Sequence, residues 1–394
     1  MKYKLSEIAE IVAGGTPSTK ESAYWNGKIP WITPKDLSTY KKRYISQGER
    51  NITEQGLNNS SAVMLPKNTI LFTSRAPIGY IAIAENKLCT NQGFKSLVCD
   101  DSKCYFLYLY YWVLNNIEYI KSQANGSTFQ EISGSVMKNI EIDLPSINIQ
   151  KKIAGILDCI DKKIELNNQI NDNLQEQLRY IFNNMFFNKI QNNDIKDYKE
   201  QILYDVLDVI DNRGKTPQLV EISDYPIIDV KAISGENRII DYKHCQKYVS
   251  EEVYNSFFRS GHPRINDILI STVGSLAEMK IYKENKGTIA QNVVALRSKI
   301  KYPMYIYQYL KAIKNDLISY NIGSVQPSIK VTQFMNHNIY FPKENELEEF
   351  EKIAQVNTDK MFNISKENES LENLRDTLLP KLMSGEIDLD KIDI

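Results

Sequence analysis

The chain is written twice, and this constrains its fold more than any other feature. Gly14-Gly15-Thr16-Pro17 returns as Gly214-Lys215-Thr216-Pro217, and Ile29-Pro30-Trp31-Ile32 as Tyr225-Pro226-Ile227-Ile228. Asn68-Thr69-Ile70-Leu71 is matched by Asn266-Asp267-Ile268-Leu269, Asn91-Gln92 by Gln291-Asn292, and Gly126-Ser127 by Gly323-Ser324. Ile142-Asp143-Leu144-Pro145 returns as Ile339-Tyr340-Phe341-Pro342, and Lys152-Ile153-Ala154 as Lys352-Ile353-Ala354. The order is kept, and the offset stays between 196 and 200 residues. A period this long means two similar domains, since solenoid units run to about 20–50 residues. The repetition predicts a pseudo-two-fold molecule suited to a partner with two similar ends.

Composition narrows the class. A chain of 394 residues, 42% hydrophobic and 25% charged, holds two or three globular domains with their own cores. No apolar run approaches the ~20 residues of a membrane span, and Met1-Lys2-Tyr3-Lys4 leads into no signal core, so a cytoplasmic location is expected. The five cysteines form no Cys-x-x-Cys pair, and His244, His262 and His337 lie near no second ligand pair. Reduced thiols and no metal site are therefore expected. Net charge is −1, but it is unevenly spread. Residues 1–150 carry 16 Lys and Arg against 13 Asp and Glu, and 199–340 carry 18 against 15, whereas 341–394 carry 7 against 14. Two mildly basic repeats and an acidic terminal segment fit modules that face a polyanion and helices that face something else.

Each repeat ends in a helical pattern. Ile153, Leu157, Ile160, Ile164, Asn167, Asn171, Leu174, Leu178, Ile181 and Met185 follow the alternating spacing of four and three that marks a seam. The second copy runs Ile353, Asn357, Lys360, Ile364, Glu367, Leu371, Leu374 and Leu378. Packing of the two helices on each other is expected, with Leu157, Ile160, Ile164, Leu174, Leu178 and Ile181 meeting Ile353, Ile364, Leu371, Leu374 and Leu378. Asn167 and Asn171 would weaken that seam while restricting its register. At 1.5 Å per residue each rod would be roughly 50–60 Å long.

The globular parts read as mixed α/β. Short apolar runs from Thr69 to Thr73, Tyr80 to Ala84 and Gly93 to Val98 are candidate strands. Their counterparts run from Asp267 to Ser271, Met279 to Tyr282 and Val293 to Arg297. The aromatic stretch Tyr105–Trp112 and its counterpart Tyr302–Leu310 recur at helical spacing and are expected in the core. No phosphate-binding loop and no dinucleotide-binding turn is present, and no Pro-Pro pair occurs. Asp267, Glu278 and Lys280 resemble the acid and acid-x-lysine spacing of metal-dependent nucleases. The first repeat holds nothing equivalent, so ordinary strand and surface charges are expected there.

Several segments together carry a family resemblance. They are Leu5-Ser6-Glu7-Ile8-Ala9, Gly15-Thr16-Pro17-Ser18, Ile29-Pro30-Trp31-Ile32, Thr90-Asn91-Gln92-Gly93 and the closing stretch from Leu374 to Ile387. With the duplication and the two helical patterns, the chain resembles the specificity subunit of type I restriction–modification enzymes over nearly its whole length. The resemblance implies two target recognition domains in tandem with pseudo-two-fold symmetry, separated by two long antiparallel coiled-coil helices. The corresponding boundaries are 1–146 for the first domain, 147–190 for the central helix, 191–342 for the second domain and 343–394 for the C-terminal helix and tail. It further implies double-stranded DNA as ligand, two methylation subunits and two restriction subunits as partners, and no catalysis in this chain. S-adenosylmethionine, ATP and Mg²⁺ would then belong to the partners. A metal-dependent endonuclease using Asp267, Glu278 and Lys280, or a scaffold that binds protein rather than DNA, are the alternatives.

Bases are read by polar side chains in turns, with phosphate contacts setting position. In the first repeat the candidates are Lys35, Ser74, Arg75, Asn91, Gln92, Thr128 and Gln130. In the second they are Lys231, Thr272, Ser275, Gln291, Asn292, Gln326, Ser328 and Lys330. Asn91 and Gln92 could equally satisfy backbone groups of the adjoining turn.

Overall fold

The computed structural model describes residues 1–40, 42–125, 130–322, 327–387 and 389. They form two compact units, Met1–Glu165 with Ser370–Ile394 and Leu166–Glu369. Each therefore combines one globular domain with parts of both long helices.

In the first unit a five-stranded sheet runs in the order Ala9–Ala13, Lys95–Cys99, Ile70–Phe72, Ile81–Ala84, Tyr44–Ile45. A second sheet sets Trp25–Ile32 between Arg50–Ile52 and Cys89–Thr90. The second unit repeats the plan with Leu207–Ile210, Val293–Ser298, Ile268–Ser271 and Met279–Ile281, and pairs Ile227–Ile228 in parallel with Thr288–Ile289. In both, the central strands are buried on both faces, which explains why they read as unbroken apolar runs. The aromatic stretches form the helices Phe106–Asn115 and Pro303–Ala312, whose rings are buried in the main core of each unit.

The repetition reaches individual turn atoms. Asn68 and Asn266 both have positive φ (68° and 73°), as do Ala76 and Gly274, and Gly79 and Ala277. Each turn thus needs two left-handed residues, and each copy fills one with glycine and accepts an alanine at the other. Thr73 Oγ1 donates to Pro77 O (2.8 Å) and accepts from Tyr80 N (2.8 Å). Ser271 Oγ does the same for Ser275 O (2.5 Å) and Glu278 N (2.8 Å). Ser74 and Thr272, taken above as DNA contacts, face inward. Both are fully buried, and their N–H groups donate to Gly93 O and Asn292 O. That reading is corrected: Ser74 Oγ donates to Gly93 O (3.2 Å) and Thr272 Oγ1 to Asn292 O (3.5 Å), so both hydroxyls are spent inside, fastening the turn.

The long helices span Ile147–Phe182 and Glu344–Ser384, the first continuing through a π-helical turn, Asn183–Phe187. On the first, Ile153, Leu157, Ile160, Ile164, Asn167, Asn171, Leu174 and Leu178 are buried, after which the buried face passes to Phe182 and Phe186. Ile181 is only partly buried. On the second helix the expected seam is displaced by one residue. The inward line is Leu347, Phe350, Ala354, Thr358, Met361, Asn368, Leu379 and Leu382. Ile353, Ile364 and Leu378 are partly buried beside it, Leu371 is likewise intermediate, and Leu374 is 47% exposed. The displacement was hidden because Thr358, Ser365, Asn368 and Arg375 occupy inward or flanking positions without an apolar signal. Within the second unit the helices run antiparallel. Asn167 donates to Glu367 and Asn368 (both 2.8 Å), and Asn171 contacts Ser365 at 3.4 Å.

Two predictions follow from these helices. Leu178→Ala should cost about 2–5 kcal/mol and Leu374→Ala no more than about 0.5 kcal/mol; equal losses in urea unfolding would reject this register. The other concerns Glu351, whose carboxylate accepts the N–H groups of Met304 and Tyr305, each at 3.0 Å. Burial outweighs those bonds and pushes its carboxyl up to about 7. The folded state therefore holds a proton that the unfolded chain has released, and stability falls as pH rises from the ordinary carboxylate range to about 7. Glu351→Gln should flatten that fall, worth at most about 3 kcal/mol. Parallel pH profiles for the two proteins would refute the assignment.

Candidate nucleic-acid interface

In each unit the Gly-x-Thr-Pro loop sits against the turn that follows the parallel strand pair. In the first, Gly15 N donates to Thr90 O (2.9 Å), Trp31 Nε1 donates to Gly15 O (2.8 Å), and Thr16 Oγ1 bonds the amide oxygen of exposed Gln92. A Cβ on Gly14 would stand 2.1 Å from Asn91 O, so the close approach there requires glycine. In the second, exposed Gln291 donates from Nε2 to Thr216 Oγ1 at 3.2 Å. Backbone bonds fix the correspondence. Asn91 N donates to Ile32 O and Ala290 N to Ile228 O, so Gln92 matches Gln291, and Asn91 matches Ala290. The match of Asn91-Gln92 to Gln291-Asn292 is thereby corrected by one residue. A one-residue length difference between the copies caused the error. Asn91 Oδ1 accepts from Gly93 N (2.9 Å), which makes this amide a turn former. Asn292 is half-buried, and its Oδ1 has no hydrogen-bond partner among the described residues.

The remaining candidates divide by exposure and charge pairing. Lys35 lies on the short helix Pro34–Ser38 and pairs with Glu49 at 2.8 Å, which holds its ammonium pKa above the ordinary value. Its counterpart Lys231, on Val230–Ile233, is exposed and makes no ion pair among the described residues. Arg75 is half-exposed and meets Glu131 at 3.5 Å. The equivalent bridge in the second unit joins Val273 to Ser328, so that ion pair belongs to one copy alone. Gln130, Ser275 and Lys330 are exposed, and Ser328 is half-buried with its hydroxyl donating to Ile322 O (3.3 Å). Thr128 and Gln326 lie outside the described residues.

Sequence reasoning missed the residues that fix each domain on the helices. Arg43 is buried and donates to Glu165 (2.7 and 3.1 Å), Asp158 (2.9 Å) and the Tyr111 hydroxyl (3.0 Å). Tyr111 in turn donates to Asp161 at 2.6 Å, and Arg375 binds the other Asp161 oxygen at 3.0 Å. Burial alone would depress the Arg43 guanidinium, but these acidic groups outweigh it and hold its pKa above the ordinary value. Arg238 occupies the same position: Ile281 N donates to its carbonyl as Ile83 N does to that of Arg43. Its side chain is fully buried among neutral groups, Gln175 (2.8 Å), Thr358 (2.9 Å) and Gln308 (3.0 Å), and burial pushes its pKa down to about 10. The two arginines are 195 residues apart, just outside the range of the other repeated motifs.

The nuclease-like triplet is occupied structurally. Asp267 is buried against Arg297 (2.7 Å), Glu278 pairs with Lys314 (2.7 Å) and accepts from Gly235 N (3.1 Å), and Lys280 is buried in its strand. Among the described residues, no group of three or more His, Cys, Asp or Glu could hold a metal ion. No described helix is long and apolar enough to cross a membrane.

Comparison with known proteins accords with this architecture. The family model for the type I restriction modification DNA specificity domain matches residues 1–176 and again 195–378. The type I restriction enzyme MjaIX specificity subunit of Methanocaldococcus jannaschii is 33% identical, over 99% of this chain and 94% of its own. The Escherichia coli EcoR124I/EcoR124II specificity subunit is 29% identical over 44% of this chain and 43% of its own. In fold, the chain matches the crystal structure of a type I restriction–modification S subunit from M. genitalium. That match has a TM-score of 0.62 at 18% identity and covers 97% and 95% of the two chains. The chain belongs to the type I restriction–modification specificity family.

The two buried arginines give a prediction. Arg43→Met strands Asp158, Asp161 and Glu165 without their central cation and should cost about 3–5 kcal/mol. Arg238→Met removes a cation that has no carboxylate partner among the described residues and should cost less. Trp25, Trp31 and Trp112 all lie in the first unit, so tryptophan emission follows its unfolding. Tryptophan emission should show the Arg43→Met loss in the first unit. Far-ultraviolet circular dichroism, which reads both units, should show a smaller fall in urea midpoint for Arg238→Met; equal falls by circular dichroism would contradict the pairing described.

Proposed function

We propose that this specificity-family chain is the non-catalytic DNA-reading subunit of a cytoplasmic type I restriction–modification enzyme. Each unit reads one half of a bipartite, asymmetric site. Two methylation subunits dock on the chain, and two restriction subunits complete the enzyme. S-adenosylmethionine, ATP and Mg²⁺ are assigned to those partners. The observation that carries this reading is a contrast between the two copies. They agree in the Thr–Gln bond, the hydroxyl-bridged turn and the buried arginine. They differ at the solvent-facing turn, where Arg75 and Glu131 stand opposite Val273 and Ser328. Readers of common build with different side chains at the turn suit two different half-sites.

Arg75 and Gln130 in the first unit, and Ser275, Ser328 and Lys330 in the second, are the proposed readers of sequence. Replacing Arg75 by Val together with Glu131 by Ser transplants the second unit's turn residues without changing net charge. Methylation sequencing of cells carrying the assembled variant should show a change in one half-site only. If both half-sites or neither changes, Arg75 is not a reader. Native mass measurement of the complex should give two methylation subunits per chain. Mg²⁺-dependent cutting by the isolated chain, lost with Glu278→Ala, would overturn the non-catalytic assignment.

A further inference from the structure

A second pair of equivalent cations lies beside the Thr–Gln bonds. Pro30 pairs with Asn51 across the strands of the first unit, and Pro226 bridges to Tyr248 in the second. The residues that precede those partners, Arg50 and Lys247, therefore hold the same position in the two copies. Both are exposed, and neither meets a carboxylate within ion-pair distance among the described residues. The cations selected from sequence in the first unit are not so placed, since Lys35 is matched by Glu49 and Arg75 by Glu131.

Arg50 is also held in place. Its guanidinium lies 3.6 Å from the centre of the Trp25 ring and 5.9 Å from that of Trp31, with both indoles buried. The rings meet edge to face at 5.1 Å, and Trp31 is the residue bonded to Gly15 O. The cation thus stands on the platform that anchors the Gly-Gly-Thr-Pro loop, and its guanidinium makes no hydrogen bond among the described residues. Stacking on the indole face restricts the side chain without neutralising its charge. Beside Lys247, Gln246 stands where the first unit has Glu49, so the second copy carries no carboxylate at that position.

We propose that Arg50 and Lys247 are equivalent phosphate-binding residues that set each unit's register on the DNA backbone without reading sequence. The inference rests on the DNA-reading function proposed above and adds residues and a role to it. Units that read different half-sites cannot tell them apart by a feature they share, so a charge retained in both serves what the half-sites have in common. That common element is the phosphate backbone. The exchange of Arg for Lys points the same way. It keeps the charge while replacing the planar fork by a point charge, and either form satisfies a phosphate.

The test uses the full chain assembled with its methylation subunits. The probes are a duplex carrying the methylated site mapped in the host genome and two versions with one or other half-site scrambled, titrated over a range of potassium chloride concentrations. Arg50→Gln and Lys247→Gln should each weaken binding to all three duplexes by the same factor, about tenfold near 0.1 M salt. Each should also reduce the slope of log affinity against log salt by about 1. Arg50→Lys should retain the slope, and thermal unfolding should match the parent protein. A variant that loses preference for one half-site while keeping its salt slope would make that residue a base reader and overturn the proposal, as would unchanged affinity and slope. If the parent complex binds none of the three duplexes, the DNA-reading function itself falls.

Discussion

The placement of each unit's sheet on the long helices depends on a buried arginine. Arg43 and Arg238 project from equivalent backbone positions, next to the strands Ile81–Ala84 and Met279–Ile281. Five N–H donors in a rigid fork let one side chain bind several helical acceptors at once, which an apolar contact could not orient. The two sockets solve the desolvation problem differently. Arg43 is compensated by carboxylates, whereas Arg238 retains its charge among an amide, a hydroxyl and another amide. The first arrangement is costly to break from either side, because it would leave charges buried and unpaired.

The helices show the same use of polar groups inside. Asn167, Asn171 and Asn368 stand where an ordinary seam would carry leucine, and each finds a partner. Amide pairing within a buried seam lowers stability and admits few registers. For a protein whose task is to hold reading groups at fixed positions, register is the property that matters more. The apolar ends of the seam, at Leu157 and at Leu178, Phe182 and Phe186, merge into the main cores of the respective units.

The duplication also serves as an internal comparison. Positions that agree in both copies, such as Thr16 and Thr216 or Gln92 and Gln291, hold the same loop against the same turn in each unit. Positions that differ on the exposed turn, such as Arg75 and Val273, are the ones proposed to distinguish the half-sites. Buried Ser74 and Thr272 illustrate the limit of choosing candidates by residue type, since a hydroxyl that fastens a turn looks the same in sequence as one that reads a base.

The duplication, the mixed α/β class and the two long helices were legible in the sequence because each rests on a periodic or repeated apolar pattern. The strands fell within a residue or two of Ile70–Phe72, Ile81–Ala84 and Ile268–Ser271 for that reason. The inward face of the second helix was not legible. Thr358, Asn368 and Arg375 lie one residue beyond Asn357, Glu367 and Leu374, where the apolar spacing places the seam, and only their partners across the seam determine the face. The arginine anchors were equally hidden, because a buried charge is defined by acceptors far away in sequence: Glu165 lies 122 residues from Arg43, and Thr358 lies 120 residues from Arg238. Local pattern fixes where chain segments fold. Which polar groups are spent inside, and which remain for DNA, was decided by tertiary contacts, because a hydrogen bond depends on where both partners end up.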